Sequence, residues 1–218
     1  MTPDYDAAAT KAAETLIKHH VCCAPVAPLP ILKSMPGVLV LTFAEVALRI
    51  GADRKNVLAT FGSDNRDVVT TVCNRNGRLL YVVAYNQRLP MYMLQRALAR
   101  ELGHIVLQHD GSRPEAVRAE EALVFARHLI CPRPLIKALQ ERIDPLTMET
   151  FGNVTGCYER CLLGVRNTPG TNVPPELNRM IRGQFEDYVT NFVDCLSLLA
   201  DDPTGAADFG TFMDGYTE

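Results

Sequence analysis

Glu101 and His104 lie three residues apart in a segment whose residue types could bind and use a zinc ion. Zinc-dependent peptidases hold the metal with two histidines four residues apart on one helix. A glutamate directly after the first histidine activates the metal-bound water. Here Glu101 has the position of that general base and His104 that of the second histidine, whereas Arg100 stands where the first histidine belongs. The segment therefore has the pattern of a zinc site in which arginine replaces one ligand.

A second segment strengthens this interpretation. The chain reads LARELGHIVL from 98 to 107, and a following predicted helix reads EALVFA from 121 to 126 and ends LICP at 129–132. This pair of motifs, after a predicted β-hairpin, resembles the ImmA/IrrE family of metallopeptidases over roughly residues 67–135, and more weakly over 146–165. The resemblance implies that Glu101 is the catalytic base, that His104 and Glu121 are metal ligands, and that the cofactor is zinc.

Arg100 departs from the family pattern, and this changes what we expect of the site. A catalytic zinc normally has three protein ligands and one open position for water. With only His104 and Glu121 left, we expect zinc affinity to fall steeply and the activation of water to be weakened or lost. We predict that Arg100 projects toward Glu121 and supplies the missing positive charge as an ion pair, so that Arg100→His would create zinc affinity. The alternative is that Arg100 is a solvated cation on the helix face.

Two other histidines near the motifs are candidates for the missing ligand. His109 comes five residues after His104, so on a continuing helix it is rotated away from the metal-facing side. His128 comes seven residues after Glu121, which places it about 10 Å further along that helix. We therefore predict that both histidines lie outside the first coordination shell or at the surface.

The family resemblance also implies a protein partner. Members often cleave or inactivate a helix-turn-helix repressor, frequently in mobile-element or stress regulation. Two functions follow: a zinc-dependent peptidase acting on a regulatory protein, with activity lost or weakened by Arg100, or a non-catalytic pseudo-peptidase that binds the regulator through the former active-site cleft. A metal between His104 and Glu121 would distinguish them. A di-iron carboxylate site, a third idea, would need a second Glu-x-x-His, which the sequence lacks.

The pattern of predicted helices and strands around these residues indicates an α+β fold. The family resemblance implies that this fold is a mostly helical zincin-like metallopeptidase domain with a small β-hairpin before the motif helix. Strands over 68–73 and 79–85 should form a hairpin, because Asn76-Gly77 suits a tight turn. The apolar periodicity then predicts the motif helix over 91–109, the helix that carries Glu121 over 115–131, and one amphipathic helix over 175–199. We expect a zincin-like domain at 1–135, a helical C-terminal extension at 136–200 and a mobile acidic tail at 201–218.

Composition narrows the partners and the compartment. The chain has 218 residues and a net charge of −3, which argues against direct binding of a nucleic-acid backbone. Residues 146–152 and 156–165 are predicted to form two short helices, separated by a break at 153–155. They carry few basic side chains, which suits packing better than reading DNA. No apolar run is long enough to cross a bilayer, and Met1 to Asp6 does not resemble a secretion signal. Seven cysteines without a CxxC pair indicate reduced thiols, so we expect a cytoplasmic protein without a membrane partner.

Overall fold

The computed structural model describes residues 1–53, 56, 68–76, 78–156 and 171–201, which have a mixed α+β fold. The described helices are α1 (Tyr5–Lys18), α2 (Pro28–Ser34), α3 (Phe43–Ile50), α4 (Met91–Val106), α5 (Glu115–Ile130), α6 (Arg133–Gln140), α7 (Met148–Thr155), α8 (Pro175–Gln184) and α9 (Glu186–Asp201). The described strands are β1 (Val38–Thr42), β2 (Val68–Arg75) and β3 (Arg78–Tyr85). Residues 157–165 and 202–218 lie outside the described residues, and with them most of the predicted second short helix and of the acidic tail.

The predicted hairpin forms two strands of a three-stranded sheet, with β3 in the centre. Strand β2 runs antiparallel to β3, with Val68 opposite Tyr85, and Asn76 in the connecting turn has a positive φ of 54°. Strand β1 pairs with the other edge of β3 in parallel, with Val38 opposite Tyr81. The hairpin is thus confirmed, and the sheet is completed by a strand from before the hairpin.

Helices α4 and α5, which carry the two motifs, pack very closely at Gly103. A Cβ atom at position 103 would lie 3.0 Å from Cδ1 of Phe125 and 3.2 Å from both Cα and O of Ala122. Only glycine therefore allows α4 to approach the backbone of α5 at this point. Leu98 and Leu102 are buried beside this contact. Since Gly103 precedes His104 and Ala122 follows Glu121, this packing brings the two predicted ligands to the same place.

The helices that follow residue 135 share the main core with the earlier ones. One cluster of buried apolar side chains includes Leu16 of α1, Leu129 of α5, Leu139 of α6 and Phe185 between α8 and α9. The division into domains at residue 135 stays a prediction. None of the helices in the described ranges is both long and apolar enough to cross a membrane.

Two predicted helix boundaries are wrong. The single helix predicted over 175–199 is interrupted at Phe185, a buried residue at the C-cap of α8 whose ring lies 6.4 Å from that of Tyr188. The break predicted at 153–155 is absent, because α7 continues to Thr155 and ends at Gly156 with φ +63°. Burial decides both cases: the bend places Phe185 in the core, and the extra turn of α7 buries Val154.

Candidate functional site

Glu121 is a buried carboxylate with four hydrogen bonds. Its side chain is 2% exposed. Oε1 accepts from the backbone N–H of Asp4 at 2.8 Å and from Nη1 of Arg113 at 2.8 Å. Oε2 accepts from the same Nη1 at 2.7 Å and from Nε2 of His109 at 2.9 Å. A carboxylate has about four lone-pair positions for acceptance, so these bonds use all of them.

The arginine that reaches Glu121 is Arg113, not Arg100. Arg113 precedes α5, and its side chain is 39% exposed, so the guanidinium enters the site from the surface. Arg100 is exposed on α4. The predicted ion pair between Arg100 and Glu121 is therefore wrong in its choice of arginine, and the solvated-cation alternative describes Arg100 correctly. The charge of Glu121 is balanced instead by Arg113, an arginine that the motif pattern did not single out.

His109 joins His104 to Glu121, contrary to the prediction that it would be rotated away. Its Nδ1 lies 2.8 Å from Nδ1 of His104, its Nε2 lies 2.9 Å from Glu121, and its side chain is 2% exposed. The reason is the way α4 ends. The backbone N–H groups of Gln108 and His109 donate to the carbonyls of Ile105 and His104, and Gln108 has φ +52°. This is a Schellman motif, and it turns the chain back over the helix end.

The hydrogen-bonded chain of His104, His109 and Glu121 is called the relay below. The charge of Glu121 decides which ring nitrogens of this relay carry the protons. Burial alone would raise the pKa of Glu121, but the Asp4 N–H, the His109 ring and the Arg113 guanidinium together hold the pKa below its usual value. An ionised carboxylate only accepts, so Nε2–H of His109 donates to it. Burial lowers the pKa of His109 despite its contact with Glu121. A neutral His109 must then accept at Nδ1, so His104 donates through its Nδ1–H.

The remaining bond of Glu121 ties the N-terminal helix to the site. Asp4 is the N-cap of α1, and its side chain accepts from the backbone N–H of Ala7. In a capping box, a glutamate or glutamine three residues later would satisfy the N–H of the N-cap itself, but that position is Ala7. Glu121 supplies this acceptor from another helix. It therefore serves both as the partner of Arg113 and as part of the cap of α1.

These residues do not fit zinc in the arrangement observed. Glu121 has no lone pair left for a metal, and a cation next to it would also face the charge of Arg113. His109 uses both ring nitrogens within the relay. In the part of the chain that the structure describes, no three His, Cys, Asp or Glu side chains form a group that could hold a metal ion. Zinc binding would require Arg113 and His109 to leave Glu121.

The structure brings some of the predicted site residues close together and leaves others apart. His104 and Glu121 are brought together through one intervening ring, and Glu101 lies half-buried one turn before His104 on α4. His128 is buried elsewhere, with Nε2 3.0 Å from Oγ1 of Thr171. Sequence reasoning missed the role of Arg113, whose only signal is a basic residue directly before the Pro114 that caps α5.

Comparison with protein-family models, with curated proteins and with solved structures gave no match to this chain. The likeness to the ImmA/IrrE family therefore stays an inference from the two motif helices and their order along the chain.

Proposed function

We propose that this chain is a pseudo-peptidase of the ImmA/IrrE type, which holds an arginine in place of zinc and binds a regulatory protein without cleaving it. The observation that carries the proposal is the complete occupation of the Glu121 carboxylate by Arg113, His109 and the N–H of Asp4. In this family the equivalent glutamate holds the metal. Here the same carboxylate holds the N-terminal helix and the start of α5 in place, which is a structural use of a former ligand.

Protein binding is supported by the exposed face of α4. Tyr92, Arg96 and Arg100 follow one another at four-residue spacing, and Met93 lies beside them. Tyr92 is 38% exposed and Met93 is 40% exposed, and both arginines are exposed. Tyrosine, methionine and arginine are the residue types enriched at protein interfaces. Two arginines on this face fit an acidic surface of the partner, which we infer to be a helix-turn-helix repressor in the cytoplasm.

Metal analysis of four purified proteins tests the loss of zinc. We expect the native chain to contain no stoichiometric zinc by plasma mass spectrometry, and to take up none in zinc-buffered dialysis. Arg100→His alone should gain little affinity, because Arg113 still holds Glu121. Combining Arg100→His with Arg113→Gln and His109→Ala should create a zinc site, and adding Glu121→Gln to that combination should abolish it again. Stoichiometric zinc in the native protein would overturn the proposal.

Binding without cleavage needs its own experiment in the source cells. A benzophenone amino acid in place of Met93 should cross-link to a DNA-binding regulator that remains at its full length. Arg96→Glu together with Arg100→Glu should remove that cross-link, whereas the matched control Arg49→Glu with Arg88→Glu should keep it. Regulator fragments that appear only with the native chain would contradict the proposal, as would a cross-link that survives the loss of both α4 arginines.

Zinc-dependent hydrolysis remains the second candidate, favoured by one observation. The predicted ligands His104 and Glu121 are separated by a single ring, that of His109, at hydrogen-bond distances on both sides. A rotation of that ring, together with release of Glu121 by Arg113, would bring three potential ligands toward one point. Hydrolysis of a protein substrate that is stopped by a chelator and by Glu101→Gln would establish this function in place of the first.

A further inference from the structure

A cavity of about 470 Å³ lies beside helix α5, beyond the Glu121 site. Its walls come from α1, the end of α5, the start of α6, α8 and residues 171–173. The volume is within the range of cavities that bind small organic molecules. His128 contributes to its lining, and since it follows Glu121 by seven residues, the cavity begins about 10 Å along the helix from the carboxylate.

The cavity is strongly cationic in a chain whose net charge is −3. Arg133, Lys137, Arg179 and Arg182 line it, and among the residues that the structure describes no aspartate or glutamate lines it. Arg182 donates to Glu141 outside the lining, with Nη1 3.2 Å from Oε1. For the other three cations, the described part of the chain provides no ion-pair partner. Arg133, Lys137 and Arg179 are exposed, so their positive charges can attract an anion from solution.

The other described lining residues are uncharged, and hydrogen bonds hold the polar ones in place. His128 is 8% exposed and lies 3.0 Å from the hydroxyl of Thr171 through Nε2. Asn172 borders the same space, and its backbone N–H donates to Oδ1 of Asp6 at 2.7 Å, which fixes the segment against α1. Ala9, Ala13 and Ile181 add an apolar wall. The cavity thus combines a cationic side, polar groups and an apolar surface.

We propose that this cavity binds a small phosphorylated ligand of the nucleotide class. Arg133, Lys137 and Arg179 would neutralise the phosphate groups, because guanidinium and ammonium groups are the standard partners of phosphate oxygens. The apolar wall of α1 and α8 would contact the ring system of the base. In the described part of the chain, the cavity shares no lining residue with the Glu121 site, so the proposal is independent of whether the chain binds zinc or a regulator.

Titration calorimetry of the full chain tests the ligand class with ADP, inorganic pyrophosphate and adenosine. We expect saturable binding of ADP, weaker binding of pyrophosphate, and at least about tenfold weaker binding of adenosine, since a charged hydrogen bond contributes enough free energy for such a factor. Lack of binding by both ADP and pyrophosphate would overturn the proposal. Equal affinity for ADP and adenosine would overturn it as well, since the cations would then be irrelevant.

Charge-reversal variants test the position of the site. Lys137→Glu with Arg179→Glu should weaken ADP binding at least about tenfold. Arg49→Glu with Arg88→Glu changes the net charge equally at distant exposed positions and should leave the affinity unchanged. The neutral pair Lys137→Gln with Arg179→Gln repeats the test if charge reversal impairs folding. An equal loss in the distant pair would refute the proposed site, as would an oligonucleotide that displaces ADP at lower concentration than pyrophosphate does.

Discussion

Nη1 of Arg113 lies 2.8 Å from Oε1 and 2.7 Å from Oε2 of Glu121, so one nitrogen bridges both oxygens of a buried carboxylate. The rest of the Arg113 side chain reaches the surface, where 39% of it is exposed. A charge pair of this kind is asymmetric. Removal of the arginine leaves a buried anion with two donors, whereas removal of the glutamate leaves a cation that can turn into water.

This asymmetry predicts unequal effects of the two single substitutions. Arg113→Met should lower the free energy of unfolding by about 1–3 kcal/mol, a range reduced because Arg113 is partly solvated. Glu121→Met also removes the acceptor of the Asp4 N–H, so it should loosen α1. The double variant should be more stable than the sum of the single effects predicts, with a coupling of about 1–2 kcal/mol in urea denaturation.

The surface pair Arg182 and Glu141 is the matched control for that measurement. Both side chains are about two-fifths exposed, at 41% and 42%. Solvent screens such a pair, so the same double-mutant cycle should give a clearly smaller coupling. An Arg113–Glu121 coupling no larger than that of the control would show that the buried contact does not organise the site.

Gly103→Ala should destabilise the protein by separating the two motif helices. The added methyl group would lie 3.2 Å from backbone atoms of Ala122, which cannot move aside by rotating a side chain. We expect a net loss of about 1–2 kcal/mol, since overpacking outweighs the better helix propensity of alanine. Thermal unfolding measures the loss. Gly111→Ala is the control, because nothing lies within 4 Å of a Cβ at that position. Equal stability of both variants would contradict the close-packing argument.

The sequence predicted the elements of the site better than its contacts. The spacing of Leu98 and Leu102 predicted the motif helix, and the apolar pattern around Phe125 predicted the helix that carries Glu121, because periodicity reports which face is buried. It did not predict that His109 would turn back toward His104. That depends on a left-handed residue after the helix, which is usually glycine, and here it is Gln108.

The choice between Arg100 and Arg113 was also beyond the sequence. Arg100 and Arg113 both precede Glu121 in the chain, and only the path of residues 107–114 decides which of the two side chains reaches the carboxylate. Asp110 shapes that path by accepting from the backbone N–H of Ser112 at 2.9 Å. A tight turn of this type follows from local hydrogen bonds, whereas its direction relative to α5 follows from tertiary packing.

Gln108→Gly should stabilise the turn that positions His109. A non-glycine residue at φ +52° is strained, so glycine relieves strain here although it increases the entropy of the unfolded chain. We expect a gain of up to about 1 kcal/mol, measured by urea denaturation. Arg96→Gly, at an exposed position inside α4, should lose about 1 kcal/mol. Gln108→Val should be the most destabilising of the three substitutions. An unchanged free energy of unfolding in Gln108→Val would refute the role of this turn.

His128 should make the protein less stable in acid. Burial, with the nearby charges of Arg133 and Arg127, lowers its pKa from 6.5 to about 4. In the unfolded chain the ring binds a proton near pH 6.5, whereas in the folded chain it does so only near pH 4. The unfolded state therefore gains protons first as the pH falls. The stability due to this residue is complete above pH 6.5 and decreases by about 3 kcal/mol down to pH 4.

Urea denaturation across this range, in a phosphate-free buffer, measures the slope for the native chain and for His128→Gln. We expect the variant to lose this part of the pH dependence while keeping a hydrogen bond to Thr171, and identical slopes for the two proteins would show that His128 is not held neutral by its surroundings.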